Sequence, residues 1–224
     1  SIPLRFRLSD EEVARFAINR YRFPGVDIQA RLTRDYPFGK IASHAVGYVG
    51  RINEDELEDL DPSNYSGTTH VGKVGVEKSY ESLLHGTVGY QHEESNARGR
   101  VLRVLQRIPP VPGQNIYLTI DMDLQMVAES AMEGKRGALV ALNPKTGEVL
   151  ALASVPGSDP NLFVNGISSE QYQTLQDDPD QPLFNRALSG QYPPGSTIKP
   201  LMALAGLEYK EVTPATQVFC QGWY

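Results

Sequence analysis

Ser196 and Lys199 stand three residues apart in Tyr192-Pro193-Pro194-Gly195-Ser196-Thr197-Ile198-Lys199-Pro200. A serine hydroxyl is a poor nucleophile until a neighbouring base takes its proton. On a helical turn residues i and i+3 share a face, so the Lys199 amine can reach the Ser196 oxygen. An amine acts as a base only when neutral, which requires burial or nearby positive charge. The apolar run Leu201–Leu207 makes burial of Lys199 an expectation. Pro200 has no N–H, so the Ser196 carbonyl loses its i+4 donor and the first turn should be irregular. Gly195 permits a sharp entry into the helix, and the Ser196 amide is placed to stabilise an oxyanion. In a chain with 15 serines and 7 lysines, the bare pattern also fits an N-capping serine and a surface lysine.

Little else in the chain points to chemistry. There is no HExxH, P-loop, GxSxG or GxGxxG, and His44, His70, His85 and His92 lack metal-ligand spacing. No metal or cofactor is expected. His70 and His92 are expected in polar loops, where a solvated histidine is the default. The single cysteine, Cys220, excludes an internal disulfide framework. Residues 1–112 hold 15 basic and 15 acidic residues, whereas 113–224 hold 6 and 12, which accounts for the whole net charge of −6. Neither part has the concentrated positive field a nucleic-acid binder needs.

The elements that position the serine segment follow from pattern. Ser9-Asp10-Glu11-Glu12 predicts a capped helix to about Tyr21 with Val13, Phe16 and Ala17 inward. Alternation over Val26, Ile28, Ala30 and Leu32 predicts a strand. Asn53 with Glu56 caps a short acidic helix. Gly67–Gly75 reads as a loop, and 76–85 as a helix with Tyr80, Leu83 and Leu84 inward. Gly86–Glu94 and Gly99–Ile108 read as strands joined near Asn96-Ala97-Arg98-Gly99. Pro109-Pro110-Val111-Pro112-Gly113 marks a domain junction, giving domains 1–112 and 113–224. Beyond it come a strand at Asn115–Ile120, an Asp121-capped helix to about Glu133, and two short apolar runs, Gly137–Leu142 and Glu148–Ser154. These two runs suit an antiparallel hairpin covered on both faces. Residues 156–191 are long for a loop, so they need helix of their own or a functional groove to line. The longest apolar runs, Val149–Val155 and Leu201–Leu207, are far short of the roughly 20 residues of a spanning helix. The start at Ser1-Ile2-Pro3 has no signal-peptide core, so any address or anchor is expected outside the chain.

The Tyr192–Pro200 segment closely resembles the active-serine segment of the penicillin-binding proteins, the penicillin-sensitive D,D-transpeptidases of bacterial wall synthesis. Gly137–Ser154 resembles the family's first hairpin, and Asp159-Pro160-Asn161-Leu162-Phe163 the stretch just after it. Gly72–Gly86 is similar to the pedestal signature of the monofunctional class B enzymes. Asn185-Arg186-Ala187 and Phe163–Tyr172 look most like the rod-elongation branch. The blocks occur in family order over nearly the whole chain.

That resemblance implies an α+β fold, with a mixed pedestal domain over 1–112 and the N-terminal part of a transpeptidase domain, helices around an antiparallel sheet, over 113–224. It implies Ser196 as nucleophile and backbone oxyanion donor, and Lys199 as general base. The implied reaction cross-links peptidoglycan stem peptides through an acyl-enzyme, with β-lactams as inhibitors. Membrane polymerase and scaffold proteins of the elongation complex are the implied partners, contacting residues 1–112. The implied setting is the periplasmic side of the inner membrane, with an N-terminal anchor outside this chain. Two other readings stand beside it: a non-catalytic module binding membrane partners, and a β-lactam sensor or hydrolase sharing the serine motif. Lys145-Thr146-Gly147 spells the family's third motif but precedes the serine, so it is expected to be a turn without catalysis. No S-x-N and no K-T/S-G follow Lys199. The hairpin is therefore expected to lack sheet neighbours, and these residues alone cannot assemble a competent site. Cys220 is either a buried or partly buried thiol without a role, or one zinc ligand with the others beyond Tyr224.

Overall fold

The computed structural model describes residues 4–5, 8–30, 32–97 and 101–222. The Ser1-Ile2-Pro3 start and the Arg98-Gly99 part of the expected turn lie outside the described residues. The chain divides into two compact units, Ser1–Ser189 and Gly190–Tyr224. The sequence junction at 112/113 falls inside the first.

Helix α1 (Asp10–Asn19) begins through the expected capping box: Ser9 Oγ accepts from the Glu12 N–H at 3.2 Å, and Glu12 Oε2 from the Ser9 N–H at 3.0 Å. Its apolar face is not buried, and Phe16 stacks on Phe23 with centroids 6.0 Å apart. Residues 26–30 and 32 form no strand, because no described strand offers their backbone a ladder. After α2 (Ser43–Val46), strand β1 (Tyr48–Arg51) leads to the Asn53-capped α3 (Glu54–Asp59) and to α4 (Pro62–Tyr65). The glycine-rich stretch 67–75 is not a loop. It holds β2 (His70–Val74), antiparallel to β1 with Arg51 opposite His70. Gly72 is there for close packing, since a Cβ would lie 2.1 Å from the Glu77 carbonyl oxygen.

The helix expected over 76–85 is broken at Tyr80, whose φ of −118° and ψ of 21° are not helical, into α5 (Gly75–Ser79) and α6 (Glu81–His85). Tyr80 and Leu83 are consequently exposed, and the residue α5 buries is Glu77. Its carboxylate is bound bidentately by Arg34, at 2.7 and 2.8 Å, and accepts from the Tyr36 hydroxyl at 3.1 Å. A buried carboxylate is tolerable only when paired and hydrogen-bonded in this way. The expected ribbon follows as β3 (Tyr90–Ser95) and β4 (Val101–Ile108).

No strand forms over 115–120. Asp121 caps α7 (Met122–Ala131), and β5 (Gly137–Leu142) pairs antiparallel with β6 (Val149–Val155). Ala128, Ala151 and Ala153 form a core with Leu139 and Ala141, small side chains that let α7 lie close on β6. The other face is covered only at its Ser154 end, by residues 184–186, and Val140 and Leu142 are 45% and 58% exposed, so the hairpin is covered fully on one face rather than two. No third strand joins it among the described residues. Its turn contains Lys145-Thr146-Gly147: Gly147 has φ +79° and donates to the Asn143 carbonyl at 2.8 Å. The stretch 156–191 has helix of its own, α8 (Asn161–Val164), α9 (Ser169–Asp177) and α10 (Arg186–Ser189).

Within the first unit, side chains tie 1–112 to 113–189. Asn161 accepts from the Tyr36 N–H at 3.0 Å and donates to its carbonyl at 2.8 Å. Glu129 Oε1 accepts from the Ala42 N–H at 2.8 Å, and Tyr48 stacks on Phe163 at 4.1 Å. His70 is not solvated as expected: it sits on β2 and its Nε2 donates to the Val164 carbonyl at 2.6 Å. His92 lies on strand β3 rather than in a loop.

In the second unit a 3-10 turn, Gly195–Ile198, runs into α11 (Lys199–Glu208). That helix ends in a Schellman motif, with Glu211 N–H bonded to the Gly206 carbonyl at 3.0 Å and Lys210 N–H to the Leu207 carbonyl at 3.2 Å. Lys210 occupies the left-handed position, at φ +61°.

Candidate active site

The turn that carries Ser196 and Lys199 has the irregularity Pro200 demands. Ser196 C=O accepts from the Lys199 N–H, an i+3 bond in place of the i+4 bond a proline cannot make. In a 3-10 turn residues i and i+3 eclipse, so Ser196 and Lys199 project along one line. Gly195 enters the turn at φ +54°, and open space surrounds the position a Cβ would take. Thr197 closes the entry, its N–H donating to the Pro194 carbonyl at 3.2 Å and its hydroxyl to the same oxygen. The Ser196 N–H bonds no described group, so it is free to receive a developing oxyanion.

Burial does not follow the expectation. None of the described residues of 190–224 is buried, and both Ser196 and Lys199 are exposed. The apolar run does not enclose the amine because its own side chains face solvent, with Leu201 and Leu204 each 64% exposed. No hydrogen bond joins Ser196 Oγ to Lys199 Nζ among the described residues. Cys220, expected to be at least partly buried, is an exposed thiol because the segment around it has no core to enter. The turn thus brings Ser196 and Lys199 onto one line and leaves both exposed to water.

A family model for the penicillin-binding protein dimerisation domain matches residues 1–118, and one for the penicillin-binding protein transpeptidase domain matches 137–224. The chain belongs to the penicillin-binding proteins. Among its relatives, the peptidoglycan D,D-transpeptidase MrdA of Acinetobacter baumannii is 49% identical over 223 residues, covering 100% of this chain and 33% of that protein. MrdA of Escherichia coli K12 is 47% identical over 228 residues, covering 100% and 36%. The chain therefore spans about a third of the length of these penicillin-binding relatives.

Solved penicillin-binding proteins share the fold. The PBP2 of Pseudomonas aeruginosa, determined in complex with WCK 5153, superposes with a TM-score of 0.76 at 52% identity, covering 88% of this chain and 40% of that one. The PBP2 of Helicobacter pylori, determined in complex with MreC, gives 0.81 at 34% identity, covering 93% and 39%. The α+β architecture expected from the sequence is that of this family.

Sequence reading missed the side chains that hold the first unit together. Gln125 is fully buried on α7, and Arg186 is buried with its guanidinium on the carbonyls of Asp180 and Gln181, at 2.6 and 3.0 Å. A polar residue on the sheet-facing side of a helix was the available signal for Gln125. Arg186 sits in a block noted only for its resemblance.

Proposed function

We propose that the natural protein is a peptidoglycan D,D-transpeptidase of the elongation machinery, with Ser196 as nucleophile and Lys199 as its general base. Neutral Lys199 takes the hydroxyl proton while Ser196 Oγ attacks the D-Ala–D-Ala amide carbon of a stem peptide. The tetrahedral oxygen receives the Ser196 N–H, the proton passes to the leaving D-alanine nitrogen, and an acyl-enzyme forms. An amine of a second stem then takes the acyl group and completes the cross-link. β-Lactams acylate the same serine, because their strained amide presents the same carbon. The observation that carries this reading is the 3-10 turn that aligns Ser196 with Lys199, with the Ser196 amide left unbonded.

The remaining two thirds of the relatives' length supplies the groups that strip water from the amine and hold the substrate carboxylate. Residues 113–224 are in this reading the N-terminal part of the transpeptidase domain, and 1–112 an interaction domain. The complex of the Helicobacter pylori relative with MreC supports a scaffold protein as partner, and a membrane polymerase is the second. The setting is the periplasmic face of the inner membrane. Among the described residues no helix is long and apolar enough to cross a membrane.

Fluorescent penicillin tests the assignment on the intact natural protein. Label at Ser196, lost in Ser196→Ala, is the expected result. Labelling that survives Ser196→Ala overturns it, and labelling without cross-linking of stem peptides marks a sensor.

A further inference from the structure

Residues 40–47 meet the loops flanking α8 and α9 at His44. Its Nε2 is shut off from solvent and bonded to no group. The His44 carbonyl accepts from Asn185 Nδ2 at 3.2 Å. Gly157 approaches so closely that a Cβ there would lie 2.8 Å from Ser43 Oγ and 3.9 Å from His44 Cδ2. The Pro156 and Pro182 carbonyls lie beside the ring without bonding Nε2, so the neutral imidazole leaves that buried nitrogen unpaired, an arrangement rare enough in folded proteins to need a reason.

The charged groups around the ring are few. Arg186 is buried, with its guanidinium committed to the carbonyls of Asp180 and Gln181. Glu129 accepts from the Ala42 N–H. Helix α2 also packs on β6, which carries no charged residue, and on α5, whose Glu77 is turned to Arg34 and Tyr36 and whose Lys78 is exposed.

We propose that His44 is a proton-sensitive clasp in the first unit, whose protonation loosens residues 40–47 from 156–157 and 182–186. Imidazole is the side chain that changes charge in the range where surroundings of a bacterial cell vary. Burial holds His44 below the ordinary imidazole value of 6.5; the Pro156 and Pro182 carbonyls and Glu129 favour the proton, and Arg186 opposes it. The opened form therefore binds the proton more readily than the closed one. The contact is complete above the ordinary imidazole range and is lost as pH falls below it.

Hydrogen exchange followed by mass spectrometry on the intact natural protein, between about pH 7.5 and about pH 5.5, reads the clasp directly. After correction for chemical exchange, protection of 40–47 and 182–187 should fall on acidification by up to about tenfold per pH unit, relative to the β3–β4 ribbon. His44→Gln should remove that pH dependence. Glu129→Gln, which keeps an acceptor for Ala42 but removes the charge, should move the transition to lower pH. A flat wild-type profile, or an equal slope in His44→Gln, overturns the proposal. Where His44→Gln fails to fold, an unmoved transition in Glu129→Gln overturns it instead.

Discussion

Gln125 and Leu152 exchange two hydrogen bonds. The Leu152 N–H donates to Gln125 Oε1 at 2.7 Å, and Gln125 Nε2 donates to the Leu152 carbonyl at 3.0 Å. The carboxamide stands where a neighbouring strand would be, at the outer edge of β6. Thr119 Oγ1 and the Asp121 N–H cover the same edge at the Val149 and Leu150 carbonyls, at 2.7 and 2.9 Å. The expected strand over 115–120 is replaced by these isolated bonds. Asn161 repeats the device on Tyr36, so two carboxamides each satisfy both backbone groups of one residue.

Gln125→Leu keeps the volume but leaves the partly buried Leu152 N–H and C=O without partners. At about 1–3 kcal/mol per orphaned group, a loss of about 2–6 kcal/mol is expected. Urea unfolding of the natural protein, with the slope held constant, checks it. A loss below 1 kcal/mol would show that water replaces the carboxamide.

Lys199→Ala should slow acylation of Ser196 by fluorescent penicillin by about 10²–10⁴-fold, the usual range for losing a general base. Gly195→Ala tests the turn separately. The added methyl meets open space, so its cost is the positive φ alone, about 1 kcal/mol. Slowed acylation with little loss of stability is the expected signature, read by stopped-time labelling and thermal melts.

Stability should fall at alkaline pH. Burial, with the nearby Glu81 carboxylate, pushes Tyr65 from 10.0 up to about 12. Burial and Glu77 push Tyr36 up in the same sense. Both phenols are neutral in the fold and ionise more readily once unfolded. Their contribution is therefore complete below about pH 10 and lost as pH rises toward the folded values. Chemical unfolding measured across that interval should show a smaller slope with pH in Tyr65→Phe.

Lys210→Gly should stabilise α11. The left-handed Schellman position costs a side-chain-bearing residue about 1 kcal/mol that glycine does not incur. Part of that gain is offset by the greater freedom of glycine in the unfolded chain, so about 0.5 kcal/mol is expected. A Cβ at Gly206 in the same helix would lie 3.0 Å from Val212 Cγ2, so exchange there requires that methyl to shift by a few tenths of an ångström.

Where a local rule is strong, pattern and structure agree. Ser9 with Glu12 and Asn53 with Glu56 close capping boxes, and Asn143–Gly147 makes the hairpin turn. Pro200 forces the 3-10 turn under Ser196. These outcomes depend on groups within about four residues of one another, so the sequence contains all the terms. Alternation over 26–32 misled, because a strand also needs a partner that local pattern does not supply. The glycines of 67–75 misled for the opposite reason: Gly72 provides close approach between β2 and α5, not looseness.

From the residues alone came the serine and lysine pair, the order of the motif blocks, the helix starts and the Lys145-Thr146-Gly147 turn. Only the folded chain decided that Glu77 is buried under Arg34 and Tyr36, that Gln125 closes the β6 edge, that His44 is left unpaired and that Lys199 faces water. Each of these depends on contacts between residues far apart in the chain, or on how much of a side chain its surroundings cover. Solvent exclusion and pairing are properties of the assembled packing, and no stretch of sequence carries them.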